Sequence, residues 1–204
     1  MKKSLSIFLI FIFAINLAGC DGSSGKVGDS PDITMPISYQ TLPVPEDGWN
    51  GEEAIKTFYL FGHQFSENFT IESLGKDFEI DKETTDFDKG KTSVVNLKYK
   101  NNRIKYLGII LKNVQSFEEL DTTSLGSVVV WCEEEDLKSA RNEIFFNGIS
   151  LGDTMDKVKT AFGNPEKEDS STMLYFDKDS PEHGFLSFWF NDTGELYTFN
   201  IIVN

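Results

Sequence analysis

Residues 148–165 read GISLGDTMDKVKTAFGNP, and they carry the plainest turn, helix and stop signals in the chain. Asp153 is a good N-cap residue, because its carboxylate accepts from the free N–H groups of a first helical turn, and Asp156 sets negative charge near the positive helix end. Met155, Val158, Ala161 and Phe162 recur at three-and-four spacing, so one apolar stripe runs along the helix. Gly163 followed by Pro165 stops it. Just upstream, Ile144-Phe145-Phe146 predicts a strand and Asn147-Gly148 a turn. Downstream, Thr172 to Phe176, Phe185 to Phe190 and Glu195 to Val203 predict three strands, separated by the turn-rich runs 177–181 and 191–194. An antiparallel meander is the simplest connection for them. Alternation puts Leu186, Phe188 and Phe190 on one face and Phe185, Ser187 and Trp189 on the other; Tyr197, Phe199, Ile201 and Val203 share a face of the last strand.

The preceding part of the chain repeats this order loosely. Thr57 to Phe61 and Gln64-Phe65 predict a hairpin around Gly62-His63, and Thr70 to Lys76 a short helix. Ser93 to Tyr99 and Ile104 to Leu111 predict a hairpin across Asn101-Asn102, and Val128 to Cys132 a buried strand. Ser116 to Leu120 and Glu133 to Arg141 are expected as helical connections. The fold class is therefore α+β, with short helices on antiparallel sheets. The two halves are either tandem helix-plus-meander units or two unrelated α+β segments. Their expected boundaries are 49–142 and 143–204.

The pattern from Gly148 through Gly152 and Val158 to Gly163 and Pro165 resembles the signature of the SmpA/OmlA-like lipoproteins and the related beta-lactamase-inhibitor-protein fold. Those families follow the motif with an antiparallel meander and act through protein contacts. The whole chain is similar to uncharacterised exported lipoproteins of Firmicutes that carry a leading strand like Phe58-Tyr59-Leu60-Phe61-Gly62. It departs from the Gram-negative assembly lipoproteins in its large N-terminal half and long tether.

The N-terminus supplies an address. Lys2 and Lys3 precede an apolar run from Leu5 to Ala18 that is broken only by Ser6 and Asn16. This is shorter than the ~18 to 20 residues a permanent spanning helix needs, so residues 1–19 are expected to be a signal peptide. Leu17-Ala18-Gly19-Cys20 looks like the lipobox of bacterial lipoproteins. The resemblance implies cleavage before Cys20, a palmitate-bearing diacylglyceryl group on that thiol, and attachment to the extracytoplasmic face of the cell membrane. Residues 20–48, with Gly22, Gly25, Pro31, Pro36, Pro43 and Pro45 and no helical or strand period, are expected to form a flexible tether.

The formal net charge is −14, which excludes nucleic acid as an expected partner and makes anionic headgroups repulsive. With Cys20 lipidated, Cys132 has no intrachain partner; it is expected as a small core residue whose thiol pKa is raised by Glu133 to Asp136. His63 and His183, the two histidines, stand in no catalytic motif. Asp86-Phe87-Asp88 and Asp177-Lys178-Asp179 place carboxylates two apart but lack the remaining ligands of a calcium loop. No enzyme activity, cofactor or metal is expected. The function expected is a binding or scaffolding module that meets another exported protein through Tyr175, Trp189, Tyr197 and Phe199, unless those side chains form the core between the two halves. The alternative is a receptor for a small molecule or cell-wall fragment in a cleft between the halves, with Trp49, Trp131 and Trp189 available to stack on a sugar.

Overall fold

The computed structural model describes residues 39–65 and 68–203, so the signal peptide, Cys20 and most of the expected tether lie outside the described residues. A short helix α1 (Gly51–Ile55) leads into the strands β1 (Phe58–Leu60), β2 (His63–Gln64) and β3 (Phe78–Ile80). Next come β4 (Thr92–Val95), β5 (Leu97–Tyr99), β6 (Asn102–Arg103), β7 (Leu107–Lys112) and β8 (Leu125–Trp131). A single helical turn α2 (Leu137–Ala140) precedes β9 (Ile144–Phe146) and the helix α3 (Met155–Phe162). The chain then runs through β10 (Lys167–Glu168), β11 (Thr172–Asp177), β12 (Ser180–Phe190) and β13 (Leu196–Ile202). The fold is α+β, antiparallel sheet with few short helices. None of the described helices is long and apolar enough to cross a membrane.

Seven strands form the main sheet in the order β10-β11-β12-β13-β8-β7-β4, and two three-stranded sheets, β2-β1-β9 and β3-β5-β6, accompany it. The meander β11-β12-β13 from the second half meets the meander β4-β7-β8 from the first along the β13–β8 pair, where Phe199 faces Val130 and Ile201 faces Val128. One sheet thus runs across the expected boundary at residue 143. Where a cleft between halves was expected, backbone hydrogen bonds join them.

Local departures have local causes. The expected hairpin from Ser93 to Leu111 is split between two sheets: β4 pairs with β7, while β5 pairs with β6. The chain changes sheet at Asn96, whose N–H donates to Thr85 Oγ1 and whose side-chain amide donates to the Thr84 carbonyl, so the 84–85 loop takes hydrogen bonds a ladder would have used. The turn itself falls on Lys100 and Asn101, at φ 47° and 66°, one residue earlier than Asn101-Asn102. Thr154, not Asp153, is the N-cap of α3; the Asp153 carboxylate instead accepts from the Ser150 N–H and pairs with Lys157. The 70–76 segment holds a 3₁₀ turn at Glu72–Leu74, and the expected helix 133–141 shortens to the single turn α2.

The core lies on one face of the main sheet. Phe188, Phe199 and Val130 line up across β12, β13 and β8, and Leu186, Ile201 and Val128 form the next row. Against them pack α3 and β9, through Phe162 and Phe146: ring centroids of Phe146 and Phe199 are 5.5 Å apart and those of Phe162 and Phe188 5.4 Å. Trp49 closes this cluster, its indole N–H donating to the Phe162 carbonyl.

Residues 39–48, expected as the end of the tether, lie against the body. Tyr39 stacks on Phe145 at 4.0 Å, and the Gln40 N–H donates to the Tyr59 hydroxyl. Asn147, buried and at φ 47° in the turn after β9, accepts from the Leu42 N–H and donates to the carbonyls of Leu42 and Ala161. Its amide satisfies backbone groups that a Pro-rich strand-less segment leaves open.

Candidate interaction face

With Phe188, Phe199 and Val130 turned to the core, the residues between them must point the other way. Across β11, β12, β13 and β8 the register aligns Thr172, Trp189, Thr198 and Trp131 in one row. The row beside it holds Leu174, Ser187, Asn200, Val129 and Gly108. Adjacent strands lie ~4.8 Å apart, so the two tryptophans stand ~10 Å apart with Thr198 between them. Trp131 and Val94, each 37% exposed, are two of the three large hydrophobic side chains most open to solvent among the described residues. Trp189, Leu174, Val129 and Ile110 are half-buried. The ring network of the core, Phe58, Phe146, Phe162, Tyr175, Phe188 and Phe199, does not extend to this face.

Two details shape it. A Cβ at Gly108 would sit 2.9 Å from Trp131 Cζ3, so the missing side chain is what gives the indole room over β7. Between Trp189 and Phe190 the β12–β13 register shifts: Trp189 faces Thr198 while Phe190 faces Leu196, leaving Tyr197 as the extra residue. A bulge of this kind turns a side chain that strict alternation would send to the core. Tyr197 stands between two recesses, one of about 590 Å³ lined by Trp189, Ser171, Asp192 and Thr193, the other of about 190 Å³ lined by Trp131, Thr198, Cys132 and Glu133. Glu134 and Asn191 border both, and among the described residues no lysine or arginine lines either. Glu133, Glu134 and Asp192 are exposed.

The four aromatic residues expected to share a binding face are divided by the sheet. Tyr175 and Phe199 are buried at 3% and 1%; the Tyr175 hydroxyl donates to the Gly163 carbonyl, and burial, with Glu166 and Glu168 nearby, pushes its phenol far above the usual value. Trp189 is on the open side, while Tyr197, half-buried at the bulge, packs against the edge of the core and borders both recesses. Trp131, which the run Val128 to Cys132 had placed in a fully buried strand, joins Trp189. Trp49 belongs to the core.

The remaining chemical candidates have structural roles. Asp177 is buried and accepts from the N–H groups of Gly51 and Asp179; Asp88 pairs with Lys91. His63 sits edge-on to Phe78 at 5.2 Å, and His183 falls within β12. A hollow of about 860 Å³ lies within residues 72–122, between Phe78 and Phe117 with Glu72, Glu79, Glu118 and Asp121 around it. Burial, and secondarily the Glu72 charge, raises the Asp121 carboxyl pKa.

Cys132 is buried, and burial together with Asp136 and Glu133 pushes its thiol from 9.0 up to about 11. At pH 8 this leaves roughly 100-fold less thiolate than the unshifted group would carry, and the thiolate is the reactive form. Alkylation of the Cys132 peptide by iodoacetamide at pH 8, followed by mass spectrometry, is expected to be at least ~100-fold slower in the folded chain than in urea. Similar rates in both would show that the thiol is open.

Compared with protein-family models, with curated proteins and with solved structures, the chain finds no match.

Proposed function

We propose that this chain is an exported, lipid-anchored, non-catalytic module that binds another exported protein through the open face of its main sheet. The observation that carries the reading is the division of the sheet: one side holds the core, and the other carries Trp131, exposed, and Trp189, half-buried, beside threonine and asparagine side chains, with Tyr197 at its edge. Aromatic residues rimmed by polar groups are the composition of protein-binding surfaces. The likeness of 148–165 to the SmpA/OmlA-like signature, in families that act by protein contact, and the lipobox-like Leu17 to Cys20 agree with it.

A photo-reactive benzoylphenylalanine placed at Thr198 tests this in the cells that make the protein. Irradiation is expected to join the chain to one discrete partner from Thr198 and to none from Glu52, which is exposed on α1. Exported chain that forms no adduct from Thr198 would remove the reading. A second reading, a sugar or wall-fragment receptor, is favoured by the recess beside Trp189 and Tyr197, where Ser171, Asn191 and Thr193 supply hydroxyl and amide groups. Saturable quenching of indole emission by a wall oligosaccharide would establish it.

A further inference from the structure

We infer that the partner presents a basic segment, and that an arginine or lysine of that segment seats beside Tyr197 between Trp131 and Trp189. The inference rests on the open-face reading and adds the chemistry of the occupant. Three aromatic residues border the recesses at one corner of the sheet, and an aromatic ring binds a cation most strongly when partly shielded from water. The corner also carries the charge that a cation needs. Glu134 borders the recesses on both sides of Tyr197, Glu133 borders the one beside Trp131, and Asp192 the one beside Trp189. Among the described residues no basic side chain lines either recess, so these carboxylates are left for an incoming group.

Among the described residues, Lys112 and Lys167 lie on this side of the sheet, elsewhere on it. Lys112 lies over Gly126, its Cγ and Cε 3.2 Å from where a Cβ would be, and Lys167 lies over the Phe176 ring at 5.1 Å. Lys167, on β10, pairs with Leu174 and Lys112, on β7, with Thr92, so neither is on the strands that carry Trp189, Thr198 and Trp131. The face is therefore acidic where it is aromatic. The chain as a whole, at −14, attracts the same kind of partner from a distance. A second copy would bring these carboxylates against each other, and nucleic acid or an anionic bilayer would be repelled. An exported polypeptide with clustered arginine or lysine is the occupant that fits.

The test uses the full chain in a neutral detergent, titrated with acetyl-tetra-arginine amide while indole emission is followed. Saturable binding with a change in emission is expected. Because a chain of this charge attracts any oligocation, two double variants of equal charge change are compared. Glu133→Gln with Glu134→Gln removes the corner's carboxylates; Glu79→Gln with Glu118→Gln removes two from the hollow at Phe78 and Phe117. Affinity is expected to fall at least fivefold in the first and less than twofold in the second. Equal losses would mean diffuse attraction and overturn the inference, as would binding that leaves the emission unchanged. A chito-oligosaccharide that shifts the emission where tetra-arginine does not would assign the corner to sugar and overturn it too. If tetra-arginine fails while the Thr198 adduct forms, the charge inference falls and the open-face reading stands; if both fail, both fall.

Discussion

Phe199→Ala is expected to lower the unfolding free energy by about 3 to 5 kcal/mol, the cost of removing a fully buried aromatic side chain and leaving a cavity that the neighbours fill only in part. Phe199 is 1% exposed and is the point where strands and helix side meet. Its ring lies 5.5 Å from Phe146, 6.0 Å from Phe188 and 6.3 Å from Phe58, so three other elements lose contact at once. Trp131→Ala deletes a larger side chain, yet its cost is expected not to exceed about 1.5 kcal/mol, because one side of that ring is already wet and the other rests on Gly108. Urea unfolding with an unchanged m-value gives both numbers. The contrast between the two substitutions is the energetic signature of a sheet with one closed face. Similar costs, or the reverse order, would mean that the assignment of faces is wrong.

Gly51→Ala is expected to destabilise by about 3 kcal/mol or more, as overpacking against unyielding atoms does. Helix propensity alone argues the opposite sign, since alanine is favoured over glycine in a helix by ~1 kcal/mol. What decides it is space. A Cβ on Gly51 would stand 2.0 Å from the carbonyl oxygen of Ile202, with the Ile202 carbon at 3.0 Å and Val203 Cα at 3.3 Å, all of them backbone. Relief requires α1 to move off the end of β13. That movement would stretch the Gly51 N–H bond to the buried Asp177 carboxylate and disturb Asn50, which caps α1 by accepting from Glu53 and donates to Asp179. A variant as stable as the parent, or more stable, would show that α1 does not sit against β13 as closely as described.

Most of the second half was legible because its signals are local. Asn147-Gly148 turns the chain at φ 47° and 82°, Val158 and Phe162 mark the buried side of α3, and the three strands after it pair as a meander. The candidate site was less legible, for two reasons that are physical. Alternation assumes an unbroken period of two, and the bulge opposite Trp189 and Phe190 breaks it, so Tyr197 has no partner in the register and sits at the edge of the core between two recesses. The run Val128 to Trp131 is apolar at every position, which reads as a strand covered on both sides; nothing in the run tells that Val128 and Val130 alone are turned to the core. Gly108, opposite Val129, held a signal, since a glycine inside a strand often marks the close approach of another group. The strap at 39–48 was hidden for a different reason. Its partner is the Asn147 side chain, about a hundred residues on, and local composition says nothing of so distant an anchor.

Hydroxyl-radical footprinting of the aromatic residues, in the full chain purified alone and again in the intact cells that make it, tests the binding face most directly. In the purified chain Trp131, Trp189 and Tyr197 are expected to be modified readily while Trp49 and Tyr175 stay protected. In cells the first three should become protected and the last two remain as they were. Equal labelling of Trp131, Trp189 and Tyr197 in both settings would contradict the account.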